Sequence, residues 1–144
     1  MSTSLPRGER GTVSVEAALL VPVLVLVGAM FAAGWRVWWA GSQVQGAADA
    51  AARAASIAAS PQQGHQSVGA VVGADLDASQ LRCRSVSLTD DVTALALPLG
   101  TPGTVRVQVA CTVDLADLLL PMPGTITVVK DATAAVDPFR RKVR

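Results

Sequence analysis

Between Ala17 and Gly34 the chain carries no charged side chain. The run reads A-A-L-L-V-P-V-L-V-L-V-G-A-M-F-A-A-G and, apart from Arg36, stays apolar to Trp39. As a helix, it is long enough to cross the ~30 Å hydrocarbon core of a bilayer. Three structures could use such a run. The core helix of a soluble protein keeps a polar stripe for solvent, and this run has none. A cleaved secretory signal has an apolar region of only ~7–15 residues before a small-x-small site. Ala32, Ala33 and Gly34 are small, but Trp35, Arg36, Trp38 and Trp39 follow at once. A retained membrane anchor uses the whole run, and that is the reading adopted here.

The flanks orient the anchor. Arg7 and Arg10 precede the run in a short polar leader, which the positive-inside rule assigns to the cytoplasm. At the far end Arg36 stands among Trp35, Trp38 and Trp39. Indoles favour the headgroup layer, and an arginine there extends its guanidinium to water. The rest of the chain is therefore expected outside the cytoplasm. Glu16 sits at the front edge of the run, where a carboxylate costs less than the ~2.5–3.5 kcal/mol assigned to the bilayer centre. It can reach the interface and complement the helix dipole.

Glu16 also stands five residues after Gly11. A basic leader, a glycine, a glutamate at the fifth position beyond it and an apolar run starting in the same turn resemble the processing region of type IV pilin-like proteins. The stretch R-G-T-V-S-V-E-A-A-L-L-V-P-V-L, Arg10 to Leu24, is similar to the start of TadE-like pilus-assembly proteins, pseudopilins of Tad (Flp-type) systems. The resemblance implies cleavage by a membrane-embedded prepilin peptidase between Gly11 and Thr12. Glu16 then becomes the fifth residue of the mature chain. Its carboxylate would be neutralised by a new α-amine of pKa ~8 on the same or a neighbouring subunit. Thr12 stands where many type IV pilins have phenylalanine, which sets this chain apart from a major pilin. The V-D-P-F-R segment near the end is also similar to TadE-like C-termini. The implied partners are the membrane, the prepilin peptidase and other pilin or pseudopilin subunits.

At 144 residues the chain holds one membrane helix and one small domain. A net charge of +1 implies no strong electrostatic partner. Residues 1–11 read as the leader and 12–39 as the transmembrane helix, bent at Pro22, where the proline frees a carbonyl. Residues 40–60 read as an extracytoplasmic extension. It is alanine-rich, with Asp49 and Arg53 spaced for an ion pair, and Pro61 ends the pattern. Gly41 and Gly46 weaken its continuity. A helix from Thr12 to Ala59 would run roughly 70 Å.

Residues 61–137 read as a small α+β domain, and 138–144 as a basic tail. Ser60 to Ser67 reads as a loop carrying His65, the one histidine, as a solvated residue. Val68 to Ala78 reads as a short second helix. Asp75 and Asp77 fit helix-end capping better than a cation site. Leu81–Thr89, Thr104–Leu115 and Thr125–Val136 read as strands. The middle one alternates most clearly, and proline and glycine mark both connections. These form a three-stranded antiparallel sheet laid over the outer half of the long helix, a pilin-like α+β fold. The alanine stripe of the helix is expected against the valines of the middle strand.

Pairing the first two strands about a centre near residue 97 sets Cys83 opposite Cys111, Leu81 opposite Val113 and Ser87 opposite Val107. Outside the cytoplasm the two thiols are expected to form a disulfide. Leu118, Leu119, Leu120 and Met122 suit a hydrophobic plug, a subunit contact or a membrane contact. The tail, D-P-F-R-R-K-V-R, reads as a solvated end. It lacks the aromatic platform of a nucleic-acid binder.

No arrangement of nucleophile, base and orienting acid, no metal-ligand spacing and no phosphate loop is visible. The chain reads as a structural protein without cofactor or small-molecule substrate, a minor pseudopilin. The alternative is a membrane-anchored surface domain that binds a ligand or envelope partner without assembling.

Overall fold

The computed structural model describes residues 10–118 and 123–139, with side chains from Ala18 onward. In chain order it contains α1 (Arg10–Ser56), α2 (Pro61–Ala78), β1 (Ser85–Asp91), a 3-10 turn (Thr93–Ala96), β2 (Thr104–Asp114) and β3 (Thr125–Ala135). The strands form one antiparallel sheet in the order β1-β2-β3. The fold class is thus α+β, with a long apolar helix at the N-terminal end.

The chain divides into two compact units, Met1–Trp35 and Arg36–Arg144. The first contains the apolar part of α1, which stays helical through Pro22. From Leu19 onward its leucines and valines are exposed: Leu19, Leu24 and Leu26 show about two-thirds of their surface. Among the described residues this is the one helix long and apolar enough to cross a membrane. Its most apolar window has a mean hydropathy of 2.3 and none of it is buried within the protein.

The core lies in the second unit. Ala40, Val44, Ala47, Ala48, Ala51, Ala52 and Ala55 repeat at helical spacing on one face of α1, each at most 1% exposed. They share a single buried cluster with Val105, Val107, Val109, Cys111 and Val113, the alternate residues of β2. Small alanines let a helix backbone come close to a sheet. Each valine so buried contributes about 1.5–3 kcal/mol over an exposed one. Both the alanine stripe and the period-two strand are as their sequences predict. Polar contacts join α1 to the region of β3: Gln45 Nε2 donates to the Asp131 carbonyl at 3.2 Å, and Asp137 N–H to the Ser56 carbonyl at 3.5 Å.

Four expectations are corrected. First, α1 stops at Ser56 rather than Ala59. The residue before a proline avoids the helical region, and Ser60 is extended, with φ −149° and ψ 157°. The chain unwinds just ahead of it, with one turn closed by Ala58 N–H to the Ala55 carbonyl.

Second, the segment read as a loop is the first half of α2, which begins at Pro61. Ser60 is its N-cap, accepting from Gln63 N–H at 3.3 Å, and Pro61 occupies the first turn, where its missing N–H is harmless. Gln63 Oε1 reaches back to Ala59 N–H at 3.1 Å. S-P-Q-Q is therefore a variant of the capping box, and the proline opens a helix as well as closing one. At the other end, Ser79 and Gln80 N–H groups donate to the carbonyls of Asp75 and Asp77. The backbone of these aspartates does the capping, and their side chains stay exposed.

Third, Asp49 accepts from Gln45 Nε2 at 3.2 Å. The ion pairs among the described residues lie elsewhere, and Arg53 is in none of them.

Fourth, β1 starts at Ser85, and its register differs from the expected one. Val86 faces Cys111, Leu88 faces Val109 and Ser87 faces Ala110. Directly opposed residues share a face, so the observed pairing turns Val86 and Leu88 toward the core side. The expected pairing would have turned Ser85 and Ser87 there instead. A register change of odd size exchanges the two faces; on this edge strand Val86 and Leu88 still keep 44% and 39% of their surface exposed.

Candidate membrane and assembly site

The residues singled out for function fall in three places. Gly11, Thr12 and Glu16 belong to the backbone of α1, and their side chains lie outside the described residues. Leu119, Leu120 and Met122 also lie outside them, as do residues 140–144 of the basic tail. Leu118, at the edge of that apolar patch, is buried at 4% exposure.

The tryptophans follow the apolar stretch on α1. Trp35, Trp38 and Trp39 are spaced i, i+3, i+4, which puts them on one side of the helix. Trp35 and Trp38 are about two-thirds exposed and Trp39 is 38% exposed. Three large indoles in open view suit an environment that is itself apolar on one side and wet on the other. One turn further along, Ala40 and Val44 are fully buried. The helix thus changes surroundings within about a turn, from unburied apolar residues to core.

Cys83 and Cys111 are joined in a disulfide, with Cα atoms 5.5 Å apart. The pairing is the expected one, but the route to it differs. Cys83 precedes β1, and Val86 is the residue opposite Cys111. The chain bends at Arg84, whose N–H donates to the Thr112 carbonyl at 2.7 Å. That bend brings Cys83 beside the fully buried Cys111.

His65 is not a free loop residue. It lies on α2, and its Nδ1 is paired with the Asp90 carboxylate at the end of β1. The contact ties α2 to the edge strand of the sheet. Arg84–Asp114 at 3.3 Å, from the bend before β1 to the end of β2, and Arg106–Asp131 at 3.2 Å, across β2 and β3, are on exposed positions; such pairs each contribute well under about 1 kcal/mol. Among the described residues no group of three or more histidine, cysteine or acidic side chains is placed to hold a metal ion. The capping signal at Ser60 and Gln63 could have revealed that His65 is helical. Its partner Asp90 has no local signal, because the two are brought together only by packing.

Residues 11–53 match the family model of TadE-like proteins. This chain carries a TadE-like segment. The match starts at Gly11, runs through the apolar stretch and the tryptophans, and ends in the alanine-rich part of α1. The sheet-bearing part lies beyond the matched residues. No curated protein and no solved structure matches the chain significantly.

Proposed function

We propose that this chain is a minor pseudopilin of a Tad/Flp-type pilus or secretion filament. The observation that carries the reading is that the TadE-like match begins at Gly11 and coincides with a helix whose apolar part is unburied. In this reading residues 1–11 are a cytoplasmic leader. A prepilin peptidase cleaves between Gly11 and Thr12, and the new α-amine meets Glu16 of the same or an adjacent subunit. Residues 12–39 hold the protein in the membrane as a single pass. The alanine-rich part of α1 and the disulfide-closed domain lie on the extracytoplasmic side, and the chain's role is structural. Lateral packing of apolar helices in the bilayer supplies the assembly contacts. Small residues such as Gly28, Ala29, Ala32, Ala33 and Gly34 allow close approach.

The test is the mature N-terminus by intact mass. Wild type, Gly11→Ala and Glu16→Ala are compared in cells with and without their prepilin peptidase. The expected product starts at Thr12 and disappears with the peptidase or with the Gly11 change. Glu16→Ala is expected to be cleaved but excluded from the assembly. A chain that retains its leader in every case would identify a plain signal anchor instead. One starting after Gly34 would identify a secreted domain.

A further inference from the structure

We propose that the base of the domain holds the phosphodiester of an anionic phospholipid, in a cleft between the start of the buried part of α1 and the far end of the sheet. The proposal rests on the membrane-anchor reading above.

The cleft has a volume of about 220 Å3 and is lined by Arg36 and Trp39 of α1, Gln80 and Arg82 of the α2–β1 connection, and Asp117 and Leu118 beyond β2. Three chain segments distant in sequence therefore converge next to Trp39. Arg36 and Arg82 are both exposed. Among the described residues neither makes an ion pair, whereas Arg84 and Arg106 each have an aspartate partner. Two guanidiniums against the single carboxylate of Asp117 leave one net positive charge, which suits a monoanionic phosphodiester. Arginine forks match phosphate oxygens in geometry as well as charge. Gln80 adds an amide donor. The apolar side is supplied by Leu118, which is buried, and by the indole of Trp39.

Depth favours a lipid over a soluble anion. Arg36 is the first charged residue after Glu16 and directly follows the uncharged run. A helix that crosses the bilayer along that run carries Arg36 and Trp39 at headgroup level, where phosphodiesters are the most abundant anions. Gln80 is held in the left-handed region, φ 58°. That conformation ends α2 and sends Leu81 and Arg82 toward the cleft rather than onward along the helix axis.

The full chain is reconstituted in nanodiscs of phosphatidylcholine alone, or of equal parts phosphatidylcholine and phosphatidylglycerol. Lipid retained on the released protein is then read by native mass spectrometry. Wild type is expected to retain phosphatidylglycerol in preference to phosphatidylcholine. Arg36→Gln and Arg82→Gln should each reduce that retention about fivefold, as expected for one arginine at an anionic surface. Arg53→Gln, which removes an exposed arginine elsewhere on α1, should leave it unchanged. The mass of the intact disulfide in each variant checks the fold. Inorganic phosphate added in excess should not displace the lipid. Displacement would identify a general anion site and overturn the proposal. So would equal retention of the two lipids, or retention unaffected by both arginine changes. A chain that enters neither nanodisc would overturn the anchor reading and this proposal together. Entry into both without headgroup preference would overturn the proposal alone.

Discussion

Asp91 shows how much one side chain can settle locally. Its Oδ1 accepts from the Thr93 hydroxyl at 2.7 Å and from Thr93 N–H at 3.1 Å. This is an Asx turn that ends β1 and starts the 3-10 turn. The hydroxyl bond, then the backbone bond, hold the Asp91 carboxyl below its ordinary range. Because the folded pKa is depressed, the stabilisation is present above the unfolded pKa and is lost as pH falls through the folded one. In Thr93→Val the titration midpoint of Asp91, followed by carbon-detected NMR, is expected to rise toward the ordinary aspartate value. An unchanged midpoint would mean that the hydroxyl does not control the charge. D-V-T is legible as a turn signal in the sequence. The His65–Asp90 contact is not, since its partners lie 25 residues apart and meet only when α2 packs on the sheet.

At the scale of an element, α2 separates two kinds of glycine. A Cβ on Gly64 would lie 2.7 Å from Leu95 Cδ1 and 3.4 Å from Val92 Cγ1, and both of those residues are buried. At Gly64 the helix therefore lies directly against Leu95 of the 3-10 turn. A Cβ on Gly73 would meet nothing within 4 Å. Replacing an interior helix glycine by alanine gains about 1 kcal/mol of propensity. Overpacking a filled core costs about 1–3 kcal/mol. Gly73→Ala should therefore raise the thermal midpoint of the full chain in detergent micelles, and Gly64→Ala should lower it. A rise for both would mean that α2 does not seat on Leu95. Only the packing of the helix distinguishes the glycine that must stay from the one that need not.

For the molecule as a whole, the disulfide joins the start of the sheet to its middle strand across a sequence separation of 28. Closing a loop of that length stabilises a domain by about 3–4 kcal/mol in the chain-entropy model. The contribution matters here because the second unit has a modest core built from alanine and valine, with Leu95 among the largest fully buried side chains. Cys83→Ala is expected to lower stability by about that amount, measured by denaturant unfolding in micelles. Reductant should bring wild type down to the level of the variant. If reductant and substitution both leave stability unchanged, the crosslink does not limit the unfolded chain.

Much of this protein could be read from patterns that repeat within one element. The uncharged stretch 17–34, the alanine stripe from Ala40 to Ala55 and the alternation from Val105 to Val113 each carry their own period. A local period survives whatever the neighbours do, and so do the proline and glycine breaks between strands. The tertiary structure decided what depends on a partner: the register that sets Val86 opposite Cys111 and Leu88 opposite Val109, the bend that delivers Cys83 to Cys111, the union of His65 with Asp90, and the meeting of Arg36, Arg82 and Leu118 in one cleft. Those outcomes depend on how distant segments pack and pair when they meet. No single segment contains that comparison.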